Sequence, residues 1–165
     1  MIVSDENLKV LIKNGMVTAL QDLSTQLTPN GIDLTLKKVE AFLNGGRIDF
    51  TNEKRRLSQT EEIPFVNGWV TLDKGVYKVT FNEIVSIPAD MIALARPRSS
   101  LLRCGATIES AVWDAGFCGV SISLLVVYNP HGIFLQENSR LMQMFFVKMS
   151  HKASQTYQGI YQEKD

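Results

Sequence analysis

The sequence predicts an all-β sandwich or barrel with one N-terminal helix, as a single domain over residues 1–165 ending in a mobile tail at about residues 153–165. Three observations carry this. Short segments alternate apolar and polar residues at period two, separated by Gly, Pro, Asn and Asp turn signals. Only one stretch, at the N-terminus, repeats its apolar residues at helical spacing. The length of 165 residues suits one domain on a prior of about 150 residues per domain. Such a domain buries roughly 70% of its unfolded surface and needs no metal or disulfide to hold it. With 45% hydrophobic and 21% charged residues, the chain is not disordered.

The elements follow in order. Ser4 can cap the helix, Asp5 and Glu6 lie in its first turn, and Leu8, Leu11 and Ile12 form its apolar stripe. Lys13 and Asn14-Gly15 close it. Ile32, Leu34 and Leu36 then face one way and Asp33, Thr35 and Lys37 the other. A lone polar residue on such a strand, here Asp33, reads as surface. Asn44-Gly45-Gly46 signals a hairpin turn, and residues 51–62 are a polar surface excursion. Trp69–Leu72 and Val76–Phe81 make a strand pair through Asp73-Lys74-Gly75. Pro88 breaks the next run and Met91–Ala95 resumes it. Val120–Tyr128 is a dense β-branched strand, Asn129–Gly132 a turn, and Leu141–Met149 the last strong strand.

Charge limits the partners. Seventeen basic and seventeen acidic residues cancel. A global pull on nucleic acid or an anionic membrane is therefore not expected. No run of about 20 apolar residues marks a membrane span. No basic-then-apolar leader opens the chain, and Cys104 and Cys118 read as free thiols of a reducing compartment. The expectation is a cytoplasmic protein.

An anionic partner would need a local cluster, and the sequence offers one. Four of the seven arginines fall between Arg96 and Arg140. Between Met91 and Gln136 the only carboxylates are Glu109 and Asp114. The guanidinium fork suits phosphate, because it donates two hydrogen bonds at once. In Arg96-Pro97-Arg98-Ser99-Ser100-Leu101-Leu102-Arg103-Cys104-Gly105, Ser99 or Ser100 can cap a short helix ending at Gly105. Its free N–H groups would face an anion between Arg98 and Arg103. A plain capped turn is the alternative. Asp114, alone in an apolar stretch, either orients a water for attack or starts a turn by bonding its own backbone. Phe117 is core or pocket wall. Gln143 reaches a ligand or caps a strand edge.

Together and in this order, these segments resemble the dUTPase / dCTP deaminase superfamily. The residues that carry the resemblance are Gly31-Ile32-Asp33-Leu34, Pro97-Arg98-Ser99-Ser100-Leu101 with Arg103, Trp113-Asp114-Ala115-Gly116-Phe117-x-Gly119, Ser139-Arg140-Leu141-x-Gln143 and Tyr157-Gln158-Gly159. The resemblance implies a distorted β-barrel or jelly-roll of the dUTPase-like β-clip type, and a homotrimer with sites at subunit interfaces. It implies that dUTP is hydrolysed to dUMP and pyrophosphate, with Mg2+ held largely by the three phosphates. Asp114 would activate water, Arg98, Ser99, Ser100, Arg103 and Gln143 would hold phosphate oxygens, and Leu101 would be among the substrate-binding residues. Ile122, Ser123 and Leu124 would read uracil through their backbone, and Phe117 would stack on the sugar. Tyr157 with Gln158 or Gln162 would close the site from the tail. No residue is assigned as a direct metal ligand, Asp33 being the candidate for contact through water. Deaminases of this superfamily carry a glutamate where this chain has Leu124. The resemblance therefore favours the diphosphohydrolase. A dCTP deaminase or bifunctional enzyme using another acid, such as Glu109, is the alternative.

Overall fold

The computed structural model describes residues 1–162. Residues 163–165 of the expected tail lie outside the described residues. The first element is α1 (Asp5–Lys13), whose Leu8 is fully buried and whose Leu11 and Ile12 pack against the core. Ser4 occupies the position before the helix, but its side chain makes no capping bond. Gly15 ends the helix at φ +87°, a conformation costly for any residue with a Cβ. Then come β1 (Val17–Thr18), a one-turn α2 (Leu23–Gln26), β2 (Leu27–Thr28), β3 (Gly31–Phe42), β4 (Thr60–Ile63), β5 (Trp69–Leu72) and β6 (Gly75–Ser86). The second half holds β7 (Met91–Pro97), α3 (Ser99–Arg103), β8 (Ala106–Glu109), β9 (Cys118–Val127), β10 (Ile133–Gln136) and β11 (Arg140–Lys148).

Nine strands form one sheet whose main path runs β7-β11-β3-β6-β9-β8. The two ends of the path nearly meet. Trp113 exchanges backbone hydrogen bonds of 3.0 Å with Ala93 of β7 and so bridges the gap. The result is the distorted, nearly closed barrel expected, with bulges at Leu36/Lys38, Thr80/Ile84 and Arg140/Met142. Inside it lie Ile32, Leu34, Leu36, Val79, Phe81, Val85, Leu125, Met142, Met144 and Phe146. No helix among the described residues is long and apolar enough to cross a membrane.

Three local expectations are corrected. Asn44-Gly45-Gly46 does not make a tight hairpin. The chain from Leu43 to Gln59 forms a long arm, closed by Leu43 N–H to the Gln59 carbonyl at 2.9 Å, before β4 pairs with β3. β5 and β6 are not partners, since β5 pairs with β10 in a separate two-stranded sheet. The expected face of Asp33 is also wrong. Residues 31–36 are buried on both faces of β3, because α2 and the arginines around β11 cover the side opposite the core.

Candidate active site

A cleft of about 660 Å³ opens on the outer face of the sheet beside the 111–120 hairpin. Its wall is built by β9, whose alternation turns Val120 and Ile122 outward and Ser121, Ser123 and Leu125 inward. Asp114 stands at the start of the hairpin turn and is exposed. Phe117 follows, 8% exposed, with its ring edge-on to Tyr157 at 5.5 Å between centroids. Trp113 is buried, and its indole N–H donates to Ser121 Oγ at 3.0 Å, which anchors the hairpin on the strand it precedes. β8 pairs with β9 only from Leu124 onward, so one backbone edge of Gly119–Ser123 has no strand partner. An open strand edge offers unpaired N–H and C=O groups to a ligand.

The tail closes this end of the cleft. Tyr157 N–H donates to the Ala115 carbonyl at 2.8 Å. Gln162 accepts from Cys118 N–H at 3.1 Å and donates to the Gly116 carbonyl at 3.3 Å. Gly116, at φ +84°, has Thr156 where a Cβ would stand, so the tail seats only on a glycine. Gln158 is exposed, which makes Gln162 the tail glutamine that engages the hairpin.

At the floor lies Lys78 of β6, in register with Leu124 of β9 and Glu40 of β3. Its ammonium donates to Glu40 Oε1 at 2.9 Å and Thr60 Oγ1 at 2.8 Å. Burial works to raise the Glu40 carboxyl, but bonds from Lys78, Thr60 and Lys38 outweigh it and hold the group below its ordinary value. Glu109 sits across from Leu124 on β8 but is outside the cleft lining.

A second constellation gathers where β3, β7 and β11 run side by side. Asp33 is 2% exposed, and its Oδ2 lies 2.9 Å from Arg98 Nε and 3.3 Å from Arg140 Nη1. Burial pushes its carboxyl above the ordinary value, against the pull of Arg98 and Arg140. Arg140 also donates to the Thr25 carbonyl at 2.6 Å. Arg98, not a serine, occupies the position before α3, and Ser99 and Ser100 are the exposed first residues of that helix. Arg103 is exposed at its end. Leu101 is 5% exposed and packs in the core, so its side chain anchors α3 and is not free to touch a ligand. Gln143 donates to Thr28 Oγ1, and Gly31 leaves room for this crossing because a Cβ there would meet the Met144 carbonyl.

Beneath this cluster is Glu83, fully buried on β6 within the Thr80/Ile84 bulge. It accepts from Gln26 Nε2 at 2.7 Å, Thr35 Oγ1 at 2.6 Å and Thr35 N–H at 2.9 Å. Burial pushes its carboxyl above the ordinary value, partly opposed by these bonds. Through Gln26 it fixes α2, which presents the Thr25 carbonyl to Arg140.

The structure thus sorts the residues picked from sequence into two groups. Asp114, Phe117, Ile122 and Tyr157 line one cleft. Arg98, Ser99, Ser100, Arg103 and Gln143 do not line it within the protomer. Ser123 and Leu124 adjoin the cleft along β9, the Ser123 side chain pointing inward. Lys78, Tyr161, Val112 and Glu83 escaped sequence reasoning. Lys78 reaches the cleft only through the β6–β9 register. Glu83 carried a signal that went unused, because it sits in phase with the inward Val79, Phe81 and Val85.

Comparison with known proteins agrees with this geometry. The chain is 44% identical to a protein of Methanosarcina mazei named probable deoxyuridine 5'-triphosphate nucleotidohydrolase, over 99% of this chain and 98% of that one. It is 48% identical to the protein of that name from Methanosarcina barkeri, over 87% and 85%. The barrel superposes on the crystal structure of 2'-deoxycytidine 5'-triphosphate deaminase from Agrobacterium tumefaciens with a TM-score of 0.68 and 25% identity. That superposition covers 88% of this chain and 47% of the deaminase, so the chain spans about half the deaminase's length. Residues 2–149 match the model of the dCTP deaminase-like family. On that match, and on relatives similar over nearly the whole chain, the protein belongs to the dCTP deaminase-like family.

Proposed function

We propose that the chain is a nucleotide hydrolase that converts dUTP to dUMP and pyrophosphate, with Asp114 as the group that activates water. The observation that carries this reading is the acid content of the cleft. Among the described residues that line it, Asp114 is the one carboxylate, and Leu124, which adjoins the cleft on β9, stands where the resemblance places the deaminases' glutamate. The names of the relatives support the substrate.

In this mechanism the backbone of β9 at Ile122–Leu124, whose edge is open as far as Ser123, reads the base and Phe117 packs on the sugar. Asp114 holds a water and accepts its proton as the oxygen bonds to the α-phosphorus. The bond to the α–β bridging oxygen breaks, and pyrophosphate leaves. Arg98, Ser99, Ser100, Arg103 and Gln143 hold phosphate oxygens and take up the developing charge. Positioning and charge neutralisation supply most of the barrier reduction in such a transfer. Because those residues do not line the Asp114 cleft of their own protomer, they serve the cleft of a neighbouring copy in a homotrimer. The tail, through Tyr157 and Gln162, closes the site.

The donor set does not fit a resident magnesium ion. Asp33 Oδ2 is engaged by two guanidiniums, and the described residues contain no group of three potential ligands. Asp33 is read instead as the residue that aims Arg98 and Arg140. Magnesium enters as part of the substrate, on the triphosphate's oxygens. The free thiols of Cys104 and Cys118 suit the cytoplasm.

Chromatography of products from dUTP and dCTP, with and without Mg2+, tests the reading. The expected result is dUMP and pyrophosphate from dUTP. No turnover of dUTP would sink it, and a uridine nucleotide from dCTP would favour deamination, with Glu109 the first acid to examine.

A further inference from the structure

We propose that Lys78 is a specificity-determining residue of the cleft, its ammonium donating a hydrogen bond to the 4-oxo group of the pyrimidine and so selecting uracil over cytosine. The inference rests on the reading of the cleft as a uracil nucleotide site, and it names a contact that reading does not contain.

Lys78 is the one basic side chain among the described cleft-lining residues. Strand register puts it directly beside Leu124, on the outward face that also carries Ile122. An ammonium has three donors and no acceptor. Among the described residues two are used, toward Glu40 Oε1 at 2.9 Å and Thr60 Oγ1 at 2.8 Å. The third remains for whatever occupies the cleft. The same two bonds hold the stem in place, with the Lys78 side chain only 29% exposed.

Its surroundings favour a base over a phosphate. Glu40, which Lys38 also approaches at 3.2 Å, lies against the ammonium, offsets part of its field and fixes its direction as a donor. The nearby lining is apolar and aromatic, with Phe117, Ile122, Trp113 and Phe42 among it, which suits a flat ring. Uracil presents an acceptor at its 4-position, where cytosine presents an amino group. A lysine facing that amino group leaves donors opposed and both unpaired, the kind of mismatch that discriminates strongly. The 2-oxo group is common to both bases and would give no selection.

The test is Lys78→Met. Steady-state kcat/KM for dUTP, dTTP and dCTP is measured beside calorimetric affinity for dUMP and dCMP. Loss of one charged hydrogen bond predicts that dUMP affinity and the dUTP kcat/KM fall about ten- to hundredfold. The fall appears mainly in KM. dTTP should fall by the same factor, because thymine shares the 4-oxo group, while dCMP affinity holds or rises. The double variant Lys78→Met/Glu40→Gln also removes the carboxylate that would be left with Lys38 and Thr60 alone, and should lose the same uracil preference. It carries the test if the single variant fails to fold. An equal loss for both bases would make Lys78 structural and overturn the proposal, as would unchanged dUMP affinity. A parent protein that prefers dUMP to dCMP yet hydrolyses no dUTP would instead overturn the proposed reaction and leave the contact standing.

Discussion

At the residue scale, Asp114 and Phe117 carry the sharpest expectations. Asp114 is exposed at the cleft rim and makes no ion pair among the described residues that its loss would break. Asp114→Asn should fold and bind nucleotide as the parent does, while kcat falls by about 10² or more, the usual scale for removing a general base. A variant that turns over dUTP at the parent rate would exclude Asp114 as the base. Phe117 is wedged between the β9 wall and Tyr157. Phe117→Ala should raise the kcat/KM of UTP relative to dUTP, because the space for a 2′-hydroxyl opens. Packing discrimination of this sort is worth about 1–3 kcal/mol. A constant ratio would remove Phe117 from that role. Asp33 shows where residue-level reading failed. Alternation assigned it a face, but what covers that face comes from α2 and from arginines far along the chain. Removing one member of a buried ion pair costs about 3–5 kcal/mol. Both guanidiniums here stay about a third exposed, so Asp33→Ala should cost nearer the lower end in denaturant unfolding.

At the element scale, the strands were legible because one face of each is apolar, and period two survives even through the bulges of β6. What escaped was short or long-range. α2 has four residues, too few to show a period, although Asp22 caps it by accepting from Thr25 N–H at 2.8 Å. β5 looks like a partner of β6 because a turn joins them, yet its register is with β10. Glu83 ties several of these elements together, and its titration gives a test. Its folded-state value lies above the ordinary 4.5 because of burial. The folded protein therefore keeps that proton to higher pH than the unfolded chain does. This contribution to stability is full below the ordinary carboxylate value and is lost as pH rises through the raised one. Glu83→Gln cannot titrate. The unfolding free energy of the parent minus that of the variant should thus shrink as pH rises above the ordinary carboxylate value. A difference that does not fall with pH would mean that Glu83 is already ionised in the folded protein.

At the scale of the whole molecule, the two half-sites set the question. The protomer has a cleft with an acid and a separate arginine cluster built on buried carboxylates. If a neighbouring copy joins them, Asp114→Asn and Arg98→Ala should each be nearly inactive alone. Refolded together, they should regain activity, because some interfaces pair an intact cleft with an intact arginine cluster. With random mixing in a closed ring, about a quarter of the sites are whole. No recovery in the mixture, with oligomers confirmed by light scattering, would mean that each protomer uses its own residues.

The motifs on which the proposed chemistry rests were readable before any fold was known. The arginine-serine turn, the lone acid before Gly116 and the aromatic after it are contiguous, and local motifs survive in one dimension. The barrel was readable as a class, because alternation is a local property of each strand. Partnership was not. Only packing decided that Asp33 is buried between Arg98 and Arg140, that Glu83 lies beneath them and that Lys78 stands beside Leu124. Each of these depends on the register of strands distant in the chain, and register is set by which faces the whole core must bury.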